Sequence, residues 1–529
     1  MLMFILKVLQ RILGWIAAVT AVVMLTGCAS LPAGSQQAIS MAVTNGAATT
    51  LGRLAVNSRP IGSENESGFR LLPEAAFAFD ARVALIRNAE SSVDMQYYLI
   101  RNDDVGLLLL RELRNAALRG VRVRLLVDDL YMGGDEEVFS MLATFNNVEV
   151  RLFNPLPSRA KSLPIRLAAS LFDLLRINHR MHNKLLVADN TFAITGGRNI
   201  GNEYFMRNAD ANFIDVDLLS AGPVVHEMSR SFDAFWNSMQ VRPILDLVTN
   251  AASGFEAEDR FSEIVRLAVA DVALRPRDMF DRPPVSEQFE IKELQLHWAA
   301  ARFFSDPPDK LNLAHEMAYR GSVSEGALGE IAASRREVKI LSPYFIPGPQ
   351  GMAVLEKLVA AGGRAVVVTN SLGSTDEPLA YAGYERYRAD MLKAGISVYE
   401  ISPEGTAQSK RFGNFGRSIS RLHAKVATMD SERIFIGSMN LDHRSAAINT
   451  ELGLVIESRS LVEELHSLLV AEHVEIGYRL QLSSDGRRTQ WVAHSENGEE
   501  IVHEDVPGEF LWLRIKNWFL LPVLGEELL

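Results

Sequence analysis

Residues 182–205 read HNKLLVADNTFAITGGRNIGNEYF, and residues 423–445 read HAKVATMDSERIFIGSMNLDHRS. Each segment opens on a His and places a Lys two positions later and an Asp seven positions later. A Gly then follows at fourteen positions and an Asn at seventeen. The alternation of polar and apolar residues behind each His predicts a β-strand. The shared residues are His182, Lys184, Asp189, Gly196 and Asn199 in the first segment and His423, Lys425, Asp430, Gly437 and Asn440 in the second.

The chain before each segment is repeated as well. Each repeat has an apolar strand-like stretch that ends in two aromatic residues, then a helix-like stretch, then two further apolar strand-like stretches. In chain order these are 87–99, 105–120, 121–129 and 148–155 in the first repeat and 334–346, 351–363, 364–371 and 396–403 in the second. Strands that alternate with helices at this spacing predict βαβ units and a largely parallel sheet in each half. We therefore predict an α/β fold with two halves related by a pseudo-twofold axis.

Composition excludes several protein classes. The chain has 529 residues, of which 48% are apolar and 22% charged, so neither a disordered nor a fibrous protein is expected. A single Cys rules out an intramolecular disulfide framework and a Cys-based zinc site. The net charge of −11 argues against a strongly basic nucleic-acid binder.

The residue types of the two segments suit a phosphodiester substrate. A His and a Lys at i and i+2 of a strand point to one face, so packing of the halves about the axis would bring both pairs to one cleft. Lysine ammonium groups and the amides of Asn199 and Asn440 can hold the non-bridging oxygens. One His can attack phosphorus while the other protonates the leaving alkoxide. This chemistry requires no metal and no cofactor.

Two pairs of residues allow a second interpretation. Asp189 and Asp430 are candidate catalytic residues, but a turn-forming or Lys-orienting role is an equal alternative. Asn199 and Asn440 are candidate phosphate-binding residues, with loop capping as the alternative.

The first residues have the pattern of a targeting segment. Cations at Lys7 and Arg11 precede an uncharged apolar stretch, 12–25, that is short for a membrane span. Leu25-Thr26-Gly27-Cys28 follows and resembles the lipobox of bacterial lipoproteins. We predict a signal peptide over 1–27, lipidation of Cys28 and a tether over 28–65; an ordinary signal anchor with an incidental Cys is the alternative.

The repeated His-x-Lys-x4-Asp pattern resembles the phospholipase D superfamily, whose members carry two such motifs in one bilobal α/β fold. The phrases MHNK, GGRNIGNEYF, AGPVV, TNSL, LHAK, GSMNLDHRS and NTELGLVIES are similar to those of bacterial cardiolipin synthases, nearest to the cardiolipin synthase C branch. The resemblance covers about residues 70–480. It implies two phospholipase D-like α/β sandwich halves with one active site between them.

The resemblance also implies residue roles. The motif histidines would be the nucleophile, His182, and the general acid and base, His423. A downstream carboxylate would orient each histidine, Asp215 in the first half and Glu451 in the second, with Asp217 as a rival of Asp215. One departure stands out, because Tyr381 occupies a position where such relatives carry a cleft His.

The expected activity is that of a cardiolipin synthase-like phosphatidyl transferase that works through a phosphohistidine intermediate. A hydrolytic phospholipase D is the alternative, a nuclease of the same superfamily is less favoured, and a non-catalytic lipid scaffold is disfavoured by both intact His-Lys pairs. Phosphatidylglycerol is the expected substrate, with phosphatidylethanolamine as a second option, and an accessory protein is another open option. We expect a lipid-anchored, palmitate-bearing protein on the periplasmic side of a bacterial envelope, on the inner or the outer membrane, and no nucleic-acid partner.

The remaining organisation follows from these assignments. We predict a first half over 66–241, a linker or insert over 242–330, a second half over 331–485 and a C-terminal tail over 486–529. Residues 156–181 mix Arg and Lys with apolar residues, which suits either an interfacial helix or an ordinary surface helix. The tail mixes Trp and Phe with Arg and Lys near its end, which suits an interfacial helix or a protein groove.

Overall fold

The computed structural model describes residues 31, 35, 37–170, 173–248, 254–268, 274–310, 313, 315–403, 418–470, 477–494 and 499–508. The strands up to the middle of the chain are β1 (Ser67–Leu72), β2 (Ser92–Tyr97), β3 (Arg122–Asp128), β4 (Val148–Phe153), β5 (Lys184–Ala188), β6 (Phe192–Gly196), β7 (Ala211–Ile214), β8 (Asp217–Ala221), β9 (Val241–Pro243) and β10 (His297–Ala299). The later strands are β11 (Ala301–Ser305), β12 (Glu337–Leu341), β13 (Arg364–Asn370), β14 (Ser397–Ile401), β15 (Ile419–Leu422), β16 (Val426–Met429), β17 (Arg433–Gly437), β18 (Leu452–Glu457), β19 (Gly477–Leu482), β20 (Thr489–His494) and β21 (Glu500–His503).

Helices connect these strands. They are α1 (Thr50–Asn57), α2 (Ala75–Asn88), α3 (Asp104–Leu118), α4 (Glu136–Leu142), α5 (Leu163–Ala168), α6 (Leu174–Asn178), α7 (Pro223–Trp236), α8 (Ile244–Leu247), α9 (Phe255–Arg266), α10 (Val285–Ile291), α11 (His315–Tyr319), α12 (Val323–Ala332), α13 (Gly348–Ala360), α14 (Pro378–Lys393) and α15 (Arg459–Val470). Short 3₁₀ turns lie at Gly46–Ala48 and Asn202–Phe205, and a π-helical turn lies at Arg444–Ile448. None of the helices in the described ranges is long and apolar enough to cross a bilayer.

The two halves have the same strand order, which confirms the internal duplication. The first sheet runs β10-β1-β8-β6-β5-β2-β3-β4-β9, and the second runs β11-β18-β17-β16-β12-β13-β14-β19-β20-β21. The segment β8-β6-β5-β2-β3-β4 of the first therefore matches β18-β17-β16-β12-β13-β14 of the second. The α/β class and the two-half layout are thus as predicted.

The sheets are mixed, so the prediction of largely parallel sheets was wrong. Within the two large sheets, parallel pairing between the described strands is restricted to β2, β3 and β4 and to their counterparts β12, β13 and β14. The motif strands β5 and β16 pair antiparallel with both of their neighbours. A tight turn joins each motif strand to the next strand, β5 to β6 and β16 to β17. Two strands joined by such a turn can only pair antiparallel.

Three apolar cores hold the layers together. One lies on the outer face of the first sheet and includes residues of α2, α3, α4 and α9. Another lies on the outer face of the second sheet beneath α12, α13 and α14. The third lies between the two sheets, where α7 and α15 contribute Trp236 and Leu465, and it contains Leu185 of β5 and Ile436 of β17. This central core fixes the halves against each other and so positions whatever lies between them.

The predicted tether, 28–65, is wrong for the residues from 37 onward. The backbone N–H groups of Ser40 and Ala42 donate to Asn237, which follows α7 directly, and to Asp233 of α7, at 3.0 and 2.8 Å. Farther along, α1 buries Leu51 and Leu54 against the first core. Polar partners for the backbone and an apolar face for α1 make this segment part of the folded domain.

Two other predicted boundaries also change. The expected linker, 242–330, supplies β10 to the first sheet and β11 to the second, so it belongs to both halves. The second half extends beyond residue 485, because β20 and β21 continue its sheet. Trp491 of β20 donates from Nε1 to Glu400 Oε2 of β14 at 2.9 Å, which fixes this hairpin to the core.

Candidate active site

Each motif presents its histidine and lysine together. Lys184 Nζ donates to the carbonyl oxygen of His182 at 2.8 Å, and Lys425 Nζ donates to that of His423 at 2.6 Å. All four residues are more than nine-tenths buried. Both pairs lie at the starting edge of a motif strand, because Lys184 begins β5 and Lys425 immediately precedes β16.

The two motifs form one site between the halves. Burial, opposed by Glu451 and assisted by the ammonium groups of Lys184 and Lys425, lowers the pKa of His182 to about 4. Burial also lowers the pKa of His423 well below its ordinary value, and Lys425, Lys184 and His182 add to the effect. Each imidazole therefore lies within electrostatic reach of the lysines of both halves. The predicted convergence on one cleft is confirmed.

The orienting carboxylates are exchanged between the halves. His182 Nδ1 lies 3.0 Å from both carboxylate oxygens of Glu451, and His423 Nδ1 lies 2.7 Å from Asp215 Oδ2. The sequence had identified both acids but assigned each to the histidine of its own half, which was wrong. Since a carboxylate accepts from Nδ1–H, the Nε2 atom of each ring carries the free lone pair.

The backbone explains this exchange. The His182 N–H donates to the carbonyl of Thr450 at 2.9 Å, and the His423 N–H donates to that of Ile214 at 2.7 Å. Thr450 and Ile214 are the residues immediately before the two orienting acids. On one side of the cleft, β7 and β15 form a small parallel sheet that bridges the halves. Each motif is therefore docked onto the strand that carries the acid of the opposite half.

The rival acid, Asp217, has a different role. Its carboxylate forms salt bridges with Arg82 at 2.8 Å and Arg198 at 3.1 Å, and all three side chains are buried. These ion pairs hold the start of β8 against α2 and the loop after β6. Asp215 is thus the acid of this segment that contacts a motif histidine.

The two orienting acids lie in different environments. Burial alone would raise the pKa of Glu451, but His182, Lys184 and the hydroxyl of Ser438 outweigh it and hold that pKa below its ordinary value. The Ser445 hydroxyl also donates to this carboxylate, at 2.9 Å. Burial raises the pKa of Asp215, against the opposing effect of nearby cations. Glu451 is therefore the more firmly ionised partner.

The lysines are also perturbed. Burial is the main cause of a pKa of about 8 for Lys425, which Asp215 and Glu451 partly counteract. Burial likewise lowers the pKa of Lys184 well below its ordinary value. At neutral pH the site combines neutral imidazoles with cationic Lys425, which suits an anionic substrate.

Two tyrosines flank the histidines, and the sequence gave them no role. The ring of Tyr98 lies 5.1 Å from that of His182, and Lys184 Nζ lies 5.3 Å from its centroid. The ring of Tyr204 lies 5.2 Å from that of His423. Tyr98 follows β2 directly, and Tyr204 lies in the phrase GGRNIGNEYF. The sequence feature that could have identified them is the presence of aromatic residues at these two places in the first half.

The predicted phosphate-binding amides lie next to the site. Asn199 Nδ2 donates to the Tyr204 hydroxyl at 2.9 Å, and the Asn440 N–H donates to Ser445 Oγ at 3.2 Å. The Oδ1 atoms of both asparagines are buried without a hydrogen-bond partner among the described residues. Their contact with phosphate stays a prediction.

The two motif aspartates are structural, so their assignment as catalytic residues was wrong. Asp189 accepts the backbone N–H groups of Glu90, Ser91 and Ser92 at 2.7 to 3.2 Å. Asp430 accepts those of residues 335–337 in the same way. Both have positive φ, 51° and 57°, at the turn that ends the motif strand. They lie at the end of that strand opposite to the histidine, where they hold the loop before β2 or β12.

A second side chain fixes each motif histidine through its neighbour. Asp128 at the end of β3 accepts the Met181 N–H at 2.9 Å. At the equivalent end of β13, Asn370 accepts the Leu422 N–H at 2.8 Å and donates to its carbonyl at 2.9 Å. Both clamps act on the residue immediately before the histidine, so they set the backbone position of the reacting ring.

The structure also shows where residues 156–181 and Tyr381 lie, which the sequence had connected with membrane contact and acceptor choice. In 156–181 the structure describes two short helices, α5 and α6, and Arg166 is buried with its guanidinium 2.6 Å from Asp129. Tyr381 is a buried residue of α14 that packs in the core of the second half, where its hydroxyl accepts from Arg388 at 2.8 Å. It does not contact either motif histidine, because it packs on the sheet face beside Glu400 and Tyr384.

Comparison with known proteins agrees with this geometry. A family model described as "Cardiolipin synthase, PLD-like domain" matches residues 83–236 and 328–471, which contain the two motifs. The chain belongs to this family. It is therefore an enzyme of the phospholipase D superfamily, and its sandwich halves are PLD-like domains.

Individual relatives extend the match over most of the chain. Cardiolipin synthase C of Escherichia coli (strain K12) is 34% identical over 468 residues, covering 88% of this chain and 97% of that protein. A cardiolipin synthase of Staphylococcus aureus (strain Mu50 / ATCC 700699) is 24% identical, covering 83% of this chain and 73% of that protein. The crystal structure of phosphatidylserine synthase from Haemophilus influenzae Rd KW20 matches with a TM-score of 0.54 at 13% identity, covering 90% and 98% of the two chains. That structural likeness shows the shared fold.

Some predictions for this PLD-like protein fall outside the described residues. These are the signal peptide over 1–27, Cys28 with its lipidation, and the aromatic and basic end of the tail, 509–529. Within the described ranges, no group of three or more His, Cys, Asp and Glu side chains is arranged to hold a metal ion.

Proposed function

We propose that this chain is a cardiolipin synthase-like phosphatidyl transferase that acts through a phosphohistidine on His182. The observation that carries the proposal is the exchanged pair of His-carboxylate contacts, which gives both rings a free Nε2 in one buried, cationic site. The family match and the named relatives supply the substrate class, a phospholipid phosphodiester.

In the first step, His182 Nε2 attacks the phosphorus of a phospholipid donor. A P–N bond forms and the bond from phosphorus to the head-group oxygen breaks, while His423 gives a proton to the leaving alkoxide. Lys184 and Lys425 stabilise the charge on the non-bridging oxygens. In the second step, the hydroxyl of an acceptor phospholipid gives its proton to His423 and attacks phosphorus, and the P–N bond breaks. His182 is thereby restored.

The electrostatics support this division of roles. His182 is neutral at physiological pH and is held by the ionised Glu451, which suits a nucleophile. His423 must carry a proton to act as an acid, but burial and the cations around it lower its pKa and oppose this in the free enzyme. A bound phosphodiester anion offsets those cations, so substrate binding raises the pKa of His423 and prepares the acid.

The substrate and the location belong to the same proposal. Phosphatidylglycerol is the proposed donor and acceptor, and phosphatidylethanolamine is a second candidate donor. We place the enzyme at the periplasmic side of the envelope through acylated Cys28. Labelling with a radioactive fatty acid tests this anchor, because Cys28→Ala should abolish incorporation; equal incorporation into the variant would exclude it.

The test of the activity uses the purified full chain with labelled phosphatidylglycerol in mixed vesicles, with and without phosphatidylethanolamine. Cardiolipin should form with wild type and disappear in both His182→Ala and His423→Ala. His226→Ala is the matched control, since His226 is exposed on α7 and should leave the rate unchanged. Phosphatidic acid without cardiolipin would make the enzyme a hydrolytic phospholipase D. Cleavage of nucleic acid with no lipid product would refute the lipid assignment.

A further inference from the structure

The second half contains a large cavity beside the loop that follows β17. Its volume is about 940 Å³, which lies within the range of small-molecule sites. Helix α12, the start of α13 and the loop 439–443 form its walls. Apolar side chains supply much of the lining, among them Leu328, Ile346, Pro347, Met439 and Leu441.

The inner wall of this cavity is hydrogen-bonded to the catalytic site. Asp442 lines the cavity, and its Oδ1 accepts the Ser445 N–H at 2.7 Å. The Ser445 hydroxyl donates to Glu451 at 2.9 Å, and Glu451 contacts His182 at 3.0 Å. Asn440 also lines the cavity, and its N–H donates to the same hydroxyl. The cavity therefore adjoins the side of the site that holds His182.

The internal duplication shows which residues correspond in the two halves. In the second half, the Ile346 N–H donates to the Leu441 carbonyl at 2.7 Å. In the first half, the Arg101 N–H donates to the Ile200 carbonyl at 2.8 Å in the same position relative to the motif. Arg101 thus corresponds to Ile346, and Ile200 to Leu441.

The equivalent region of the first half is filled with polar contacts. Asp103 accepts the Asn202 N–H at 2.7 Å, and Arg101 forms a salt bridge with Glu203 at 3.4 Å. A Cβ atom on Gly201 would lie 2.8 Å from Arg101 Cγ, so the packing is close. In the second half, Arg101 is replaced by an apolar Ile346 and Asp103 by Gly348, which has no side chain. Ile346 and Gly348 line the cavity at the positions where the first half has polar contacts.

We propose that the cavity receives an acyl chain of the phosphatidyl group while its phosphate lies between His182 and His423. This inference rests on the proposed function. It assigns a binding place to the acyl chain of the phospholipid whose phosphate reacts at the two histidines. The phosphatidyl group stays bonded to His182 between the two steps, whereas the head groups leave and enter. An apolar chamber linked to His182 through Ser445 and Glu451 therefore suits the part of the lipid that stays in place. Displacement of two methylene groups from such a chamber reduces kcat/KM about tenfold.

The test fills the cavity and compares two substrates. Leu328→Trp places a bulky indole ring in the chamber. Leu118→Trp makes the same change at an exposed position of α3 and is the control. The substrates are diacyl phosphatidylglycerol in mixed vesicles and bis(p-nitrophenyl) phosphate, a phosphodiester without acyl chains. We expect kcat/KM for the lipid to fall about tenfold or more in Leu328→Trp and to be unchanged in Leu118→Trp. Turnover of the chain-free ester should be the same in all three proteins.

Other outcomes overturn the assignment in distinguishable ways. Equal loss with both substrates would mean that Leu328 supports the fold of the site rather than a lipid chain. No loss with either substrate would leave the cavity without a part in lipid binding. If cardiolipin formation falls while phosphatidic acid release from the same donor persists, the cavity serves the acceptor instead. A wild-type enzyme that cleaves only the chain-free ester would refute the proposed function itself.

Discussion

The exchange of carboxylates predicts which histidine responds when one acid is neutralised. Glu451→Gln keeps the size of the side chain and removes the charge that faces His182 Nδ1 at 3.0 Å. A hydrogen bond to a charged group contributes about 1.5–3 kcal/mol. Since each 1.36 kcal/mol is about a tenfold change in rate, kcat for cardiolipin formation should fall about ten- to 150-fold. The acid limb of the pH profile also moves, because the Glu451 charge raises the pKa of His182 and its removal lowers that pKa further below about 4.

A double-mutant cycle identifies the partner. The free energy of unfolding is measured in urea for Glu451→Gln, for His182→Ala and for the two changes combined. We expect a coupling of about 1.5–3 kcal/mol between these positions. The cycle of Glu451→Gln with His423→Ala is the comparison, and its coupling should stay within about 0.5 kcal/mol. Asp215→Asn should give the reverse pattern, with coupling to His423.

Larger coupling of Glu451 to His423 than to His182 would refute the exchanged pairing. An acid limb that moves to higher pH in Glu451→Gln would also refute it. The loss of a negative charge beside His182 can only lower the pKa of that ring. A purely structural role for Glu451 would lower stability without moving the limb. The rate, the coupling and the pH shift together therefore separate orientation of His182 from support of the fold.

Four further outcomes follow from the structure. Asp189→Ala should lower the free energy of unfolding by about 1–3 kcal/mol and leave kcat unchanged, since the carboxylate accepts hydrogen bonds from backbone N–H groups. A large fall in kcat would show that Asp189 takes part in catalysis. Activity should fall above about pH 8 as Lys425 loses its proton, and an alkaline limb more than two pH units higher would contradict this. Asn370→Ala should reduce kcat more than it raises KM, because it frees the Leu422 backbone beside the motif; steady-state kinetics decide. Tyr381→Phe should destabilise the protein by about 1 kcal/mol in urea while the ratio of lipid products stays constant.

The sequence was sufficient for those parts of the protein that depend on local pattern. The repeated His-x-Lys spacing identified His182 and His423, and the repeated strand-helix order identified the two halves. Alternation puts a His and a Lys two residues apart on one face of any strand, so the pairing within each motif needed no tertiary information. The family followed from the same phrases. The motif aspartates were misassigned because spacing cannot tell which end of a strand lies in the cleft.

Only the tertiary structure decided the contacts between the halves. Asp215 and Glu451 were named from the sequence, but the ring that each acid contacts depends on how β7 docks beside β15 and how Thr450 meets His182. Such contacts join residues more than 200 positions apart, as with the 208 between His423 and Asp215. They are fixed by the packing of the central core and leave no periodic signal in the chain. Likewise, the cavity beside the second motif arises from side chains of separate helices and loops, and its volume exists only once those elements are packed.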